Sequence, residues 1–235
     1  MNHALEALSQ ALTLVVRWDE TLASIVRLSL EVSGSALFFG ALLGLPLGAV
    51  LGATQFRGRG LVVALLQSLL GVPSVVVGVV VFLLLSRAGP LGFLGWLYDP
   101  AGMVVAQTLL VAPLVAAITR QVVEGARERL AEELTMMRLG FAERLFALIY
   151  DCRFSLLLAL FSGFARAASE VGAVMIVGGN IEGMTRVMTT AIALETAKGD
   201  LTLALALGIV LVGIVATIHM VTSGLEALAR RRAEG

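Results

Sequence analysis

The chain has 235 residues, of which 58% are hydrophobic and 14% charged, and its mean hydropathy is +0.95. Soluble domains carry about 25% charged and about 45–50% apolar residues, so this composition points to lipid as the solvent. Seventeen basic and seventeen acidic side chains leave a net charge of zero, which gives nucleic acid no electrostatic hold; the single Cys152 excludes an internal disulfide framework and a multi-cysteine metal site.

The N-terminus, Met1-Asn2-His3-Ala4, has no positive region ahead of an apolar stretch, so no cleavable signal peptide is expected. Ala4–Val16 is too short to span a bilayer and reads as an amphipathic helix on the outer surface, with a sixth span, which would break the charge rule at the N-terminus, as the alternative. Five long apolar runs follow: Val26–Ala53, Leu61–Leu85, Gly102–Thr119, Phe154–Val177 and Leu201–Val221. A helix needs about 20 mostly apolar residues to cross the hydrocarbon. Runs of this length rule out barrel strands, which leaves helices as the spanning structure. The predicted class is therefore an all-α integral membrane protein with five transmembrane helices and a short peripheral helix, forming one domain over residues 1–235 with its core at 26–221. Pro46, Pro73 and Pro113 lie inside the runs beside many glycines, where a membrane bundle tolerates kinks and uses small residues for close approach.

Arginine placement orients the chain. One side carries Arg57, Arg59, Arg120, Arg127, Arg129, Arg138, Arg144, Arg153, Arg230, Arg231 and Arg232; the other carries Arg17, Arg27, Arg87, Arg186 and Lys198. The excess marks the first side as cytoplasmic, with the N-terminus outside and the C-terminus inside. The long cytoplasmic loop 120–153 reads as two short helices, Glu124–Arg138 and Ala142–Tyr150, hinged at Gly140 in a left-handed turn. Connectors are usually far shorter, so this one is expected to be a docking surface.

Three charges fall in or near the runs. Glu31 lies close to the outer interface. Arg166 is twelve residues past Phe154, roughly 18 Å along a helix axis and so near mid-bilayer, and Glu170 follows it on the same helical face. Such charges are costly unless paired or hydrated. Span four also carries Ser155, Ser162, Gly163, Ser169 and Gly172, a small and polar set suited to lining a path. In the outer loop beyond Gly178-Gly179-Asn180, a short helix is expected over Met184–Thr196, with Met184, Val187, Met188, Ala191 and Ile192 as its apolar stripe. Arg186, Thr189 and Thr190 would form the opposite polar edge, near the point where an outside partner delivers substrate.

Catalytic signatures are missing. A phosphate loop ends in Gly-Lys-Ser/Thr, but the one lysine, Lys198, sits in Ala197-Lys198-Gly199. His3 and His219 cannot make a His-Glu-x-x-His site, and there is no Gly-x-Ser-x-Gly elbow. His219 reads as a packed or interfacial histidine. No catalytic residue, metal or bound cofactor is expected on this chain, and any ATP with its Mg belongs to a separate subunit.

A loop of two helices with Leu139-Gly140 at its bend, between the third and fourth of five spans, resembles the coupling loop of ABC importer permeases; Leu134-Thr135-Met136 stands where that family has Glu-Ala-Ala. The rest of the chain is similar to one branch. The motifs are Gly44-Leu45-Pro46-Leu47-Gly48, Phe56-Arg57-Gly58-Arg59, Gly71-Val72-Pro73-Ser74-Val75-Val76-Val77-Gly78 and Ser86-Arg87-Ala88-Gly89-Pro90-Leu91-Gly92. They continue with Ser169-Glu170-Val171-Gly172-Ala173, Val177-Gly178-Gly179-Asn180-Ile181 and Met188-Thr189-Thr190-Ala191-Ile192-Ala193-Leu194-Glu195-Thr196. Over about residues 25 to 215 these resemble the permease of tungstate-type oxyanion importers, a branch related to the molybdate permeases.

The resemblance implies a multi-pass protein of the prokaryotic inner membrane. Its partners would be a cytoplasmic ABC ATPase, an extracytoplasmic oxyanion-binding protein, a second copy of itself and the bilayer. It assigns Glu132, Glu133, Leu139, Gly140, Phe141 and Glu143 to ATPase coupling. It assigns Ser162, Arg166, Ser169, Glu170, Asn180, Thr189 and Thr190 to the translocation path or gate. Molybdate or a sulfate-class anion is the alternative cargo. An ion-coupled secondary transporter would fit the intramembrane charges but lacks an evident inverted repeat, and an intramembrane enzyme lacks a visible nucleophile–base pair.

Overall fold

The computed structural model of the chain describes the backbone of residues 2–137 and 139–234, and all regular structure among them is helical. The helices are α1 (Asn2–Arg17), α2 (Glu20–Ala53), α3 (Arg59–Leu70), α4 (Ser74–Leu85), α5 (Pro100–Arg129), α6 (Ala131–Met136), α7 (Phe141–Asp151), α8 (Arg153–Ala168), α9 (Gly172–Gly178), α10 (Met188–Lys198) and α11 (Leu201–Glu234), with one 3-10 turn at Gly92–Leu94. Arg138 and the side chains of Arg230, Arg231 and Arg232, used above for orientation, lie outside the described residues.

Among the described residues three helices are long and apolar enough to cross a membrane unbroken: α2, α5 and α11. Each begins behind an aspartate. Asp19 accepts from the Thr21 N–H, Asp99 from the Ala101 N–H, and Asp200 from the N–H groups of Thr202 and Leu203. A carboxylate there satisfies amides that have no partner within the helix and meets the positive end of its dipole.

Spans two and four differ from the single helices expected. The run Leu61–Leu85 breaks at Gly71-Val72-Pro73 into α3 and α4. Pro73 has no N–H to give and disfavours helix in the residue before it. The run Phe154–Val177 breaks at Ser169-Glu170-Val171 into α8 and α9. Glu170 therefore lies in a gap in the helix, not on its face. Among the described residues two helix pairs are bent at a short break, α3 with α4 by 94° and α7 with α8 by 71°, and counting each as one span gives up to five candidate spans.

The chain divides into two compact units: Met1–Ala36, Pro73–Gln107 and Arg166–Thr217 form the first, and Leu37–Val72, Thr108–Ala165 and Ile218–Gly235 the second. Each of the five apolar runs passes once from one unit to the other. In the first unit, Leu22, Ile25 and Val26 of α2 pack with Met188 and Ala191 of α10, with Ala206 and Leu207 of α11, and with Ala11 of α1. There α4 and α9 meet closely: a Cβ on Gly78 would come within 2.8 Å of the Ala173 Cα, and one on Gly172 within 2.7 Å of the Val75 side chain.

In the second unit the decisive contact is between α2 and α5. Gly40, Gly44, Gly48 and Gly52 recur every fourth residue, one above the other on a single helical face. Added Cβ atoms would strike Val111 at 2.7 Å from Gly40, the Ala112 carbonyl at 2.7 Å from Gly44, Thr119 at 2.7 Å from Gly48 and the Arg120 carbonyl at 2.7 Å from Gly52. This is small-residue packing of the kind that drives helix association in lipid. Beyond it, Ala49, Val123, Ala126, Leu134, Leu148 and Cys152 form a core under the loop. Burial pushes the Cys152 thiol up to about 11, with the Asp151 charge adding to the shift, so it stays protonated and unreactive at neutral pH.

The ladder sets a contrast between two glycines of one helix. Gly48→Ala forces α2 from α5, an overpacking cost of about 1–3 kcal/mol, and should lower the thermal unfolding midpoint in detergent. At Gly34 a Cβ meets nothing within 4 Å, so Gly34→Ala should hold or raise that midpoint through about 1 kcal/mol of helix propensity.

Candidate functional site

The break in span four gathers most of the predicted path residues. After Ala168 the helix ends and its last carbonyls need new partners. The Ala167 carbonyl accepts from the Glu170 N–H at 3.1 Å and from Gln107 Nε2 at 3.0 Å. The Ser169 hydroxyl donates to the Arg166 carbonyl at 3.3 Å, and the Thr189 hydroxyl to the Glu170 carbonyl at 2.6 Å. The Glu170 carboxylate accepts from the Arg166 guanidinium at 2.5 Å and from the Ala173 N–H at 3.2 Å, with the Ser74 hydroxyl as a further donor. Its side chain is 3% exposed, whereas that of Arg166 is 38% exposed. The expected Arg166–Glu170 pair is thus present, and the carboxylate is its buried member.

Asn180 stands at φ 51° just past Gly179, at φ 70°, where the chain turns out of α9. Its amide donates to the Thr190 carbonyl at 3.3 Å. The outer helix starts at Met188 and not at Met184, which is exposed. Thr189 and Thr190 are buried and their hydroxyls bond backbone carbonyls, so they form no exposed polar edge. Arg186 pairs with Glu182 and with the buried Glu195, which Lys198 also reaches. Glu31 pairs with Arg27 on an exposed face at 2.7 Å. Ser162 belongs to the second unit, where it lines a cleft with Leu158, Phe161, Ile218, His219, Thr222 and Ser223.

The segment 120–153, expected to be a docking surface, also departs from its expected form. Glu124 continues α5, which runs on to Arg129, and α6 is a separate short helix. Gly140 is not left-handed: at φ −63° and ψ 165° it precedes α7 in extended backbone, and its N–H donates to the Glu143 carboxylate at 3.0 Å. Glu132 and Glu133 are exposed on α6, and Leu139 is half-buried. Phe141 is exposed together with Met136, Met137, Phe146 and Tyr150. Phe146 stacks on Tyr150, one turn further along α7, with ring centroids 6.5 Å apart.

Three contributors were missed in the sequence. Gln107, a lone amide in an apolar run, and Ser74, directly after Pro73, both carried a readable signal, since isolated polar groups inside spans tend to be functional. The third is a charge hub. The Glu124 carboxylate accepts from Arg59 at 2.6 Å and from Arg120 at 2.5 Å, with Arg127 at 3.8 Å. Arg59 also donates to the Leu51 carbonyl near the end of α2 at 2.9 Å. The end of α2, the start of α3 and α5 are thereby fastened at one carboxylate, near the start of the segment 120–153.

No protein-family model matches the chain. It is 40% identical over 226 residues to the tungstate uptake system permease protein of Peptoclostridium acidaminophilum, covering 96% of this chain and 99% of that one. A probable anion ABC transporter permease of Haloferax volcanii is 36% identical over 203 residues, 84% of this chain and 88% of that one. The molybdenum transport system permease of Escherichia coli K12 is more distant, at 28% over 221 residues, 88% of this chain and 95% of that one.

The hub can be tested by stability. Glu124→Ala strands arginines whose side chains are only 11–14% exposed, and removing one partner of a buried ion pair costs about 3–5 kcal/mol. A marked loss of folded protein on size-exclusion chromatography is expected. Asp151→Ala breaks the pair with Arg129, exposed by 41% and 71%, and should cost at most about 1 kcal/mol.

Proposed function

Because the chain belongs to the tungstate uptake family of ABC importer permeases, we propose that it is the membrane-spanning subunit of an ATP-driven tungstate importer. The observation that carries this reading is the end-to-end match to a tungstate uptake permease, closer than the match to molybdate permeases. The protein is multi-pass in the prokaryotic inner membrane. It crosses five times with its N-terminus outside, a topology favoured by the five apolar runs and by the arginine bias.

The chain works with a cytoplasmic ATPase, which holds ATP and Mg, and with an extracytoplasmic tungstate-binding protein. A second copy completes the path, since an isologous pair encloses a central axis. Met136, Phe141, Phe146 and Tyr150 are the surface that meets the ATPase: exposed aromatic and methionine side chains are enriched at interface centres. Binding and release of ATP move this loop, and α5 carries the motion into the membrane as one unbroken helix from Pro100 to Arg129. The breaks in spans two and four are places where a path can open with few helical hydrogen bonds lost.

The direct test is reconstitution of the permease, its ATPase and the binding protein in vesicles. ATP-dependent, saturable tungstate accumulation is expected, with sulfate a poor competitor. Accumulation that follows an imposed ion gradient without ATP would replace the ABC reading with a secondary transporter.

The docking surface makes its own forecast. Phe141→Ala combined with Phe146→Ala should cut co-purification of the ATPase by about tenfold, a loss of at least 1.4 kcal/mol at two aromatic anchors, with membrane insertion unchanged. Gly140→Val should leave association intact, because its backbone suits any residue and a Cβ there meets only the Glu143 carboxylate at 3.6 Å.

A further inference from the structure

We propose that the Glu170 carboxylate is the resident occupant of an oxyanion site formed by Arg166, Ser74 and the Ala173 N–H, from which a tetrahedral dianion displaces it during transport. The inference rests on the importer reading and adds to it a binding site and a means of release. The donors round Glu170 are those that an oxyanion would use: a guanidinium at 2.5 Å, a backbone N–H at 3.2 Å and a hydroxyl. Guanidinium and N–H donors bind carboxylate and tetrahedral oxyanions with the same charge-assisted hydrogen bonds. One ligand can therefore replace the other.

Two further features make this exchange feasible. Glu170 lies in the break after Ala168, so its side chain can turn away without unwinding a continuous helix. The two charges are also unequally covered. The carboxylate is 3% exposed and the guanidinium 38% exposed, so an incoming anion meets Arg166 before it meets Glu170. A dianion attracts that guanidinium more strongly than a single carboxylate does, yet the displaced carboxylate stays tethered four residues away. Its effective concentration at Arg166 remains high, and like-charge repulsion between it and the cargo favours expulsion. An arginine without this competitor would hold a dianion in the low-dielectric interior and trap it. Carrying a resident anion lets the site attract cargo and still let go.

A pair that only ties the helix break together predicts otherwise. Removing Glu170 would then weaken the fold and create no affinity for anions. The two readings part on one measurement. The Glu170→Gln permease, purified with its ATPase in chloride-free buffer, is titrated with tungstate by equilibrium dialysis, alongside wild type and the Arg166→Gln, Glu170→Gln double variant. Glu170→Gln should bind tungstate at least about tenfold more tightly than wild type, and vesicle uptake should fall because cargo is retained. The double variant should lose the binding. Where Glu170→Gln yields little folded protein, millimolar tungstate present from cell lysis should restore the yield, and chloride should not. Glu170→Gln that binds no better than wild type and gains no yield from tungstate overturns the proposal, as does equal rescue by chloride. Tight sulfate binding without tungstate binding would keep the site and overturn the tungstate assignment, while failure of wild-type uptake with retention intact would count against the importer cycle alone.

Discussion

A backbone in hydrocarbon has no water to complete its hydrogen bonds, and this constraint governs where the chain can leave the helix. At Ser169–Val171 the free groups are met one by one. Gln107 and the Glu170 N–H share the Ala167 carbonyl, the Ser169 hydroxyl takes that of Arg166, and Thr189 takes that of Glu170. Side chains from α5, from α10 and from the break itself thus hold open a gap that would otherwise close into helix or unfold. The contact of α4 with α9 through Gly78 and Gly172 depends on it, as does the burial of a carboxylate beside Arg166.

Much of this was legible from residue patterns, and the failures have particular causes. The apolar runs fall on the three unbroken candidate spans and overlap both bent pairs, because hydropathy over about 20 residues is a direct reading of bilayer thickness. The same averaging hid the breaks: Gly71-Val72-Pro73 is as apolar as the helices around it, and periodicity ran on through Glu170. The four-residue spacing of Gly40, Gly44, Gly48 and Gly52 was visible, but which helix it would meet depended on tertiary packing. Gly140 was read as left-handed because glycine near a helix end commonly is. Here it starts the next helix, with Glu143 capping its N–H. The pairing of Arg166 with Glu170 was readable from spacing alone. The burial of Thr189 and Thr190 was not, because their hydroxyls serve a break that had not been foreseen.

Charge is handled differently in the two units. In the second, three arginines converge on Glu124 to brace α2, α3 and α5 close to the loop, an arrangement that resists deformation. In the first, Glu170 faces one guanidinium that is partly open, and Arg186, Glu195 and Lys198 form a chain of single contacts.

The exposed side chains of Met136, Met137, Phe141, Phe146 and Tyr150 also bear on the life of the subunit before assembly. A copy inserted without its ATPase leaves these large apolar groups exposed, the feature by which chaperones and quality-control proteases distinguish unfinished proteins. If ATPase docking covers these side chains, their exposure marks the orphan for removal. Cellular levels of the permease would then follow the supply of its ATPase, and stoichiometry would be enforced by proteolysis after synthesis and not by matched translation.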